Sequence, residues 1–560
     1  MDSRRLIVFI ILSIGLLLLW EKYISPENAQ TKNSLSQSVS NSAAKNKNAS
    51  VVSTDAVNNQ IVGNGITSLT SGKTITITTD LIQAQINTLG GDLTELSLLS
   101  HGSKDSITQP YKLFMNNDNR TFVTQTGLIT NNGPKLPNHH TLYTTNQYNY
   151  TLKPGQENIV LNLQSRESGI NIIKTYTFKR NSYVIDVTYK IENETLAPLS
   201  GVSAYWSILR DEADPEGETR FVHTFTGPVY YTTNSGFETL KFSNVNKGEA
   251  NYPEAINNGW VGFIQHYFTT LWLLNATNYP SVCGNAGIAC RLSFKPMGSN
   301  LVSAGVLTDL PPIAAHATYT LSMPLFAGPE DYRVLTAVAP HLELTRDYGW
   351  VYIFATPLFW LLVKLFEIVN NWGIAIILLT FAVKIILYPL TRAGYISMAK
   401  MKALAPKMEQ LKKQYGEDRV KLQQAMMQLY KSEKVNPIGG CLPMILQVPV
   451  FIGLYWALLS SVELRYSTFL WIKDLSAPDP YYILPVILAG TMFLQTFLNP
   501  APADPVQAKM MRIMPIAFSV MFFFFPAGLV VYWLTNNILS MAQQWYVNNH
   551  VTLRKQNRKK

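Results

Sequence analysis

The chain reads as a multi-domain membrane protein. An all-β domain precedes an α-helical transmembrane bundle that carries a helical hairpin on its cytoplasmic side. Six spans are expected in total, five of them in the C-terminal core. Three observations predict this. An apolar run at residues 6–20 follows Arg4 and Arg5. Residues 73–330 alternate apolar and polar side chains with a period of two. After Pro340 long apolar runs recur, and basic charge bunches between them.

The first run resembles a signal peptide, but Trp20, Glu21, Lys22 and Tyr23 follow it with no small-residue cleavage site. It is expected to be an uncleaved anchor over residues 1–25, starting in the cytoplasm. Residues 26–72 are rich in Ser, Asn, Thr and Gln and hold few large apolar groups. Such a segment buries too little surface to fold, so a flexible tether is expected. Gly72-Lys73-Thr74 looks like the end of a phosphate-binding loop, but Thr67 stands where the first glycine belongs, so nucleotide binding is rejected.

Residues 73–335 are assigned to a large antiparallel sandwich across the membrane. Ile75 and Ile77 alternate with threonines. A strand begins at Asn158 after the Pro154-Gly155 turn. Tyr183, Ile185, Val187, Tyr189 and Ile191 share one strand face, opposite Asp186, Thr188 and Lys190. His139 and His140 sit in what reads as a polar loop. Cys283 and Cys290 form a candidate disulfide if they lie outside the cytoplasm. No cysteine or histidine spacing fits a metal site, so neither a metal nor another cofactor is expected.

Residues 336–371 contain PLFWLLVKLFEIVN, whose Lys364 and Glu367 suit an interfacial amphipathic helix. The remaining core, 372–546, holds spans near 372–390, 442–461, 481–498, 513–526 and 527–546. Between the first two, the hairpin 391–440 has ten Lys/Arg and four acidic residues. The tail, 547–560, ends in five more basic residues. If 350–369 also crossed, the basic hairpin would fall outside, against the positive-inside tendency. With that run lying flat, every basic cluster and both termini share the cytoplasmic side.

Lys384 is the one charge in Trp372–Pro389. A charge at mid-membrane costs roughly 2.5–3.5 kcal/mol on insertion scales. Two readings compete. Lys384 lies five residues before Pro389, about 7.5 Å of helix rise, so its stem could reach toward the interface. Alternatively it faces a wet cavity inside the bundle. Thr380 is one turn earlier, Gln447 is in the next span, and Tyr532 with Asn536 and Asn537 is in the last. No acidic residue falls mid-span in the five C-terminal runs, which favours water over an ion pair.

The hairpin reads as a helix broken at Pro406, a turn at Gly416-Glu417-Asp418, and a second helix with Leu422, Ala425, Met426 and Leu429 on one face. A solvated loop that only sets topology is one reading. A landing surface built from Lys400, Lys402, Lys407, Met408, Lys412, Met426 and Met427 is the other, since methionine re-packs around varied partners. Basic hairpin and tail also fit contact with the ribosome, and specific DNA binding is not expected.

The stretches YISMAKMKALAPK, MMQLYKSEKVNPIGGCLPMILQVPVFIGLYWALLSSVELR, WIKDLSAPDPYYILP and FPAGLVVYWLTNN resemble the YidC membrane protein insertases. The resemblance covers nearly the whole chain and looks like the Gram-negative form. It implies a periplasmic β-supersandwich, an inner-membrane location, and insertase and chaperone activity without catalysis. It also implies nascent membrane proteins, lipids and the Sec translocon as partners. It implies a hydrophilic groove whose positive residue matches Lys384, where the family typically has arginine. Thr380, Gln447 and Tyr532 match groove or core positions, and Asn536 lies beside them. Trp533 stands where a tyrosine is common, and the cysteine pair looks like an addition. Two other functions fit single features. A solute transporter or channel would use the lone cation, and a carbohydrate-active or carbohydrate-binding protein would use the β domain.

Overall fold

The computed structural model describes residues 72–557, apart from 104–105, 107, 118, 131–132, 214–223, 280, 284–287, 299, 347, 349–350, 416–417, 434, 436–441, 499–508, 510–512 and 516. The expected anchor, the tether up to residue 71 and Cys441 lie outside the described residues.

The alternation of residues 73–330 becomes two sheets of ten and eight strands. The larger runs from Ala255–Ile256 at one edge to Asn149–Thr151 at the other, the smaller from Gly236–Thr239 to Asn158–Glu167. Thr74–Thr78 pairs in parallel with Asn149–Thr151, and among the described residues every other strand pair is antiparallel. Tyr183, Ile185, Val187, Tyr189 and Ile191 are all buried, as their spacing predicts. So are Ile75 and Ile77. Trp206 and Trp272 meet edge to face, with ring centroids 5.4 Å apart, inside the same core. Cys283 and Cys290 are bonded, with Cα atoms 5.6 Å apart. The bond fastens the segment before strand Ala289–Pro296, where Cys290 pairs with Ile256 of the edge strand.

One part of this domain departs from expectation. Asn138 and His139 are buried, so that segment is not a solvated loop. His139 Nδ1 lies 2.6 Å from the Tyr205 hydroxyl, and its ring packs on His140. Nearby, Lys174 is fully buried with Asp92, 3.8 Å away. Its Nζ donates to Gly90 O at 3.0 Å and lies 5.4 Å from the Tyr176 ring.

The helical part contains α1 (Tyr332–Val338), α2 (Tyr352–Val369), α3 (Trp372–Ala403), α4 (Ala405–Tyr415), α5 (Arg419–Ser432), α6 (Leu442–Leu459), α7 (Ile483–Leu498) and α8 (Ala527–Asn557). By length and composition, α2 and α3 could each cross a membrane. Leu446–Leu459, Ile483–Leu498 and Ile513–Phe523 are shorter apolar helices. In α2, Lys364 and Glu367 form an exposed pair at 2.8 Å.

Two boundaries differ from the sequence reading. Helix α3 does not stop at Pro389 but continues to Ala403, 32 residues in all. The break falls at Leu404, and Pro406 sits in the first turn of α4, where a missing N–H costs nothing. Helix α8 likewise passes through the expected boundary at 546 and runs into the basic tail.

Candidate functional site

Helices α3 and α8 run in parallel. Ile376 of α3 lies against Gly528 of α8. Fifteen residues further along both helices, Gln543 Nε2 donates to Thr391 Oγ1 at 2.9 Å. Helix α7 is parallel to α8 as well: Asn537 Nδ2 donates to Thr491 Oγ1 at 2.8 Å, and seven residues further along both helices Gln544 Nε2 donates to Leu498 O at 3.3 Å. Helix α6 runs the opposite way, with Gln447 Nε2 donating to the Tyr532 hydroxyl at 2.7 Å.

This packing divides the bundle along its length. Toward the start of α3 and α8, Ala375, Ile376, Leu379, Leu454, Leu458, Phe522, Leu529 and Val530 make a buried apolar layer. Toward their ends, polar contacts replace it. Lys384 stands at the boundary. Its Nζ donates to Ser540 Oγ at 2.7 Å, and that hydroxyl donates to Asn536 O at 2.7 Å. By the register above, Ser540 is level with residue 388 of α3, so the lysine stem bends about one turn toward the polar end. Among the described residues no carboxylate lies within ion-pair distance of Lys384, and no second hydrogen bond to it is found. An ammonium has three donors, so two remain for other ligands.

The remaining expected residues divide into four groups. Gln447 and Tyr532 bond each other, and Tyr532 is buried. Thr380 is buried in the apolar layer, and its hydroxyl satisfies itself on Ile376 O at 2.7 Å. Asn536 is buried, and its carbonyl receives Ser540. Trp533 belongs to an aromatic cluster, 4.5 Å from Phe451 and 5.4 Å from Phe522 by ring centroids. Ser540, Thr391, Thr491 and Gln543 were missed. Ser540 and Gln543 belong to a polar recurrence with Asn536, Asn537 and Gln544 in α8, but only the α3–α8 register ties Ser540 to Lys384, and Thr391 and Thr491 carry no such signal.

In the hairpin, α4 and α5 pack together. Lys407 pairs with Glu433, and the Tyr430 hydroxyl reaches Met408 Sδ at 3.7 Å. Lys402 Nζ donates to Phe497 O at 3.3 Å, which ties the hairpin base to the end of α7. Lys400 and Met427 are exposed, while Lys412 and Met426 are half-buried. These side chains are spread over the end of α3, α4 and α5. The hairpin lies at the polar end of the bundle, away from the β domain.

A large all-β domain joined to an apolar helical bundle with an internal cation defines the class: a membrane protein with a β domain ahead of its helical core. The comparisons give the family. The family described as YidC periplasmic domain matches residues 74–361, and 60Kd inner membrane protein matches 364–556. The membrane protein insertase YidC of Laribacter hongkongensis is 53% identical, covering 98% of both chains. That of Methylobacillus flagellatus is 45% identical, covering 98% of this chain and 97% of its own. A crystal structure of an active YidC insertase covers 85% of this chain and 93% of its own, at 20% identity and TM-score 0.39. The chain belongs to the YidC family of membrane protein insertases.

Proposed function

We propose that the chain moves the polar ends of client proteins past Lys384 and the polar column beyond it. The carrying observation is an intramembrane ammonium whose only partner among the described residues is a neutral hydroxyl. A client's apolar segment gains roughly 0.8 kcal/mol per CH₂ on leaving water, so no nucleotide is needed. The barrier is the client's polar end. A hydrated column open at the hairpin end shortens the path through hydrocarbon, and Lys384 transiently holds acidic groups. Gln447, Tyr532 and Asn536 line the same path.

In this reading the chain has six spans, with both termini and the hairpin in the cytoplasm and α2 in the interface. The alternating directions of α3, α6 and α7 support the count. The hairpin receives clients through its lysines and methionines, and the basic tail contacts the ribosome through counter-ion release. The chain works alone or beside the Sec translocon.

The test is site-specific photo-crosslinking from positions 384, 447 and 533 to ribosome-bound nascent chains, with and without the Sec channel. Adducts from 384 and 447 are expected in both cases. No adduct from either position, with a client that is nevertheless inserted, would overturn the route.

A further inference from the structure

The connection between α6 and α7, residues 460–482, holds three parts of the molecule at once. Ser461 Oγ accepts from Arg346 Nη2 at 3.0 Å, and Glu463 Oε1 accepts from Arg346 Nη1 at 2.9 Å. Glu463 also accepts from Tyr332 N at 3.2 Å, at the start of α1. The guanidinium lies 3.8 Å from the Phe359 ring centroid of α2. Further along, the Tyr466 hydroxyl donates to Ser103 O, and the Arg465 guanidinium is 5.4 Å from the Tyr111 ring and 5.8 Å from Phe268. These three residues belong to the β domain.

The same connection then caps the bundle. The Phe469 ring presses on Gly373 at the start of α3, where a Cβ would come within 2.2 Å of it. Leu475 O and Ala477 O accept from Gly528 N at 2.9 Å and Ala527 N at 2.8 Å, in the first turn of α8. The connection thus sits over the apolar end of the layer that closes off Lys384.

The side chains of Arg346 and Glu463 are 1% and 5% exposed. A fully buried ion pair is weak evidence for stability, because apolar groups of equal volume often serve as well. It does fix one register, since Arg346 must meet Glu463 and Ser461 together. We propose that Arg346 and Glu463 are positioning residues that hold the α6–α7 connection as a plug over the bundle, keeping the polar column closed toward the β domain. The importance of that closure rests on the column being the client route.

The test uses the full chain in vesicles with the β domain outward. Cys441→Ser removes the third cysteine and Thr380→Cys places a reporter inside the apolar layer. A charged, membrane-impermeant maleimide is added outside. Slow labelling is expected with the pair intact. Severalfold faster labelling is expected for Glu463→Gln and for the double variant Arg346→Met/Glu463→Met. The double variant removes both charges of the pair at once, so its melting temperature should hold better than that of Glu463→Gln. Unchanged labelling in a normally melting double variant overturns the proposal. So does faster labelling that appears only in variants with depressed melting. No client takes part in the labelling, so its failure is separate from failure of the route, which client insertion by Lys384→Ala tests.

Discussion

At the scale of residues, the outcome turns on what Lys384 offers a passing acid. Lysine presents a point charge, whereas arginine presents a planar fork. A purely electrostatic hold predicts that Lys384→Arg keeps insertion of clients with acidic translocated ends. Lys384→Ala should slow it by about tenfold to a hundredfold, as for the loss of one hydrogen bond to a charged group, about 1.5–3 kcal/mol. Both are measured by protease protection of the client in proteoliposomes. Normal insertion of all such clients by the alanine variant would remove the electrostatic role. Lys384 was legible from sequence because a charge in an apolar run stands out. Ser540 was not, because serine is unremarkable in any helix and only the α3–α8 register brings it to the lysine. The register places the Lys384 ammonium against Ser540 of α8. The stem bends toward the helix end, and its ammonium donates to the buried Ser540 hydroxyl.

At the scale of elements, close helix contact makes two substitutions informative. Gly373→Ala puts a methyl into the Phe469 ring, and overpacking of this kind costs about 1–3 kcal/mol. A lower melting temperature in detergent is expected, and partial rescue by Phe469→Leu. The hairpin should behave in the opposite way. Lys407 and Glu433 are both substantially exposed, and such pairs are worth about 0–1 kcal/mol. Replacing both with alanine should leave melting unchanged, while lysine substitutions on the hairpin surface alter client or ribosome crosslinks. Element boundaries were the least legible feature. Pro389 suggested a stop, yet α3 runs through it, tied to α8 on either side by Lys384–Ser540 and Thr391–Gln543. The alternation of Val184–Asn193 was fully legible, since a two-sided strand must put its apolar face inside. Strand order in the two sheets was not, because pairing depends on contacts far apart in sequence.

At the scale of the whole molecule, the β domain should respond to acid through its buried titratable groups. Burial, helped by neighbouring positive charge, holds His101 and His139 down to about 4. Their neutral forms are favoured by folding, so this stability is complete above about 6.5 and is lost as pH falls through 4. Asp92 works the other way: burial pushes its carboxyl up to about 7, so its contribution is lost as pH rises through 7. Melting of the full chain, followed through buried Trp206, Trp260 and Trp272, should therefore fall between pH 6.5 and 4. His139→Gln should flatten that fall and Asp92→Asn should steepen it. Parallel curves for all three proteins would refute the assignment.

The bond between Cys283 and Cys290 closes a short loop and stabilises it by about 2.5 kcal/mol on the chain-entropy account. Its larger consequence is chronological. Thiols stay reduced in the cytosol and pair only in an oxidising compartment. The bond therefore dates the moment when the chain's own outer domain has crossed. Trapping free thiols at intervals after synthesis would time that crossing without any added tag. An insertase of this kind carries a clock for its own arrival.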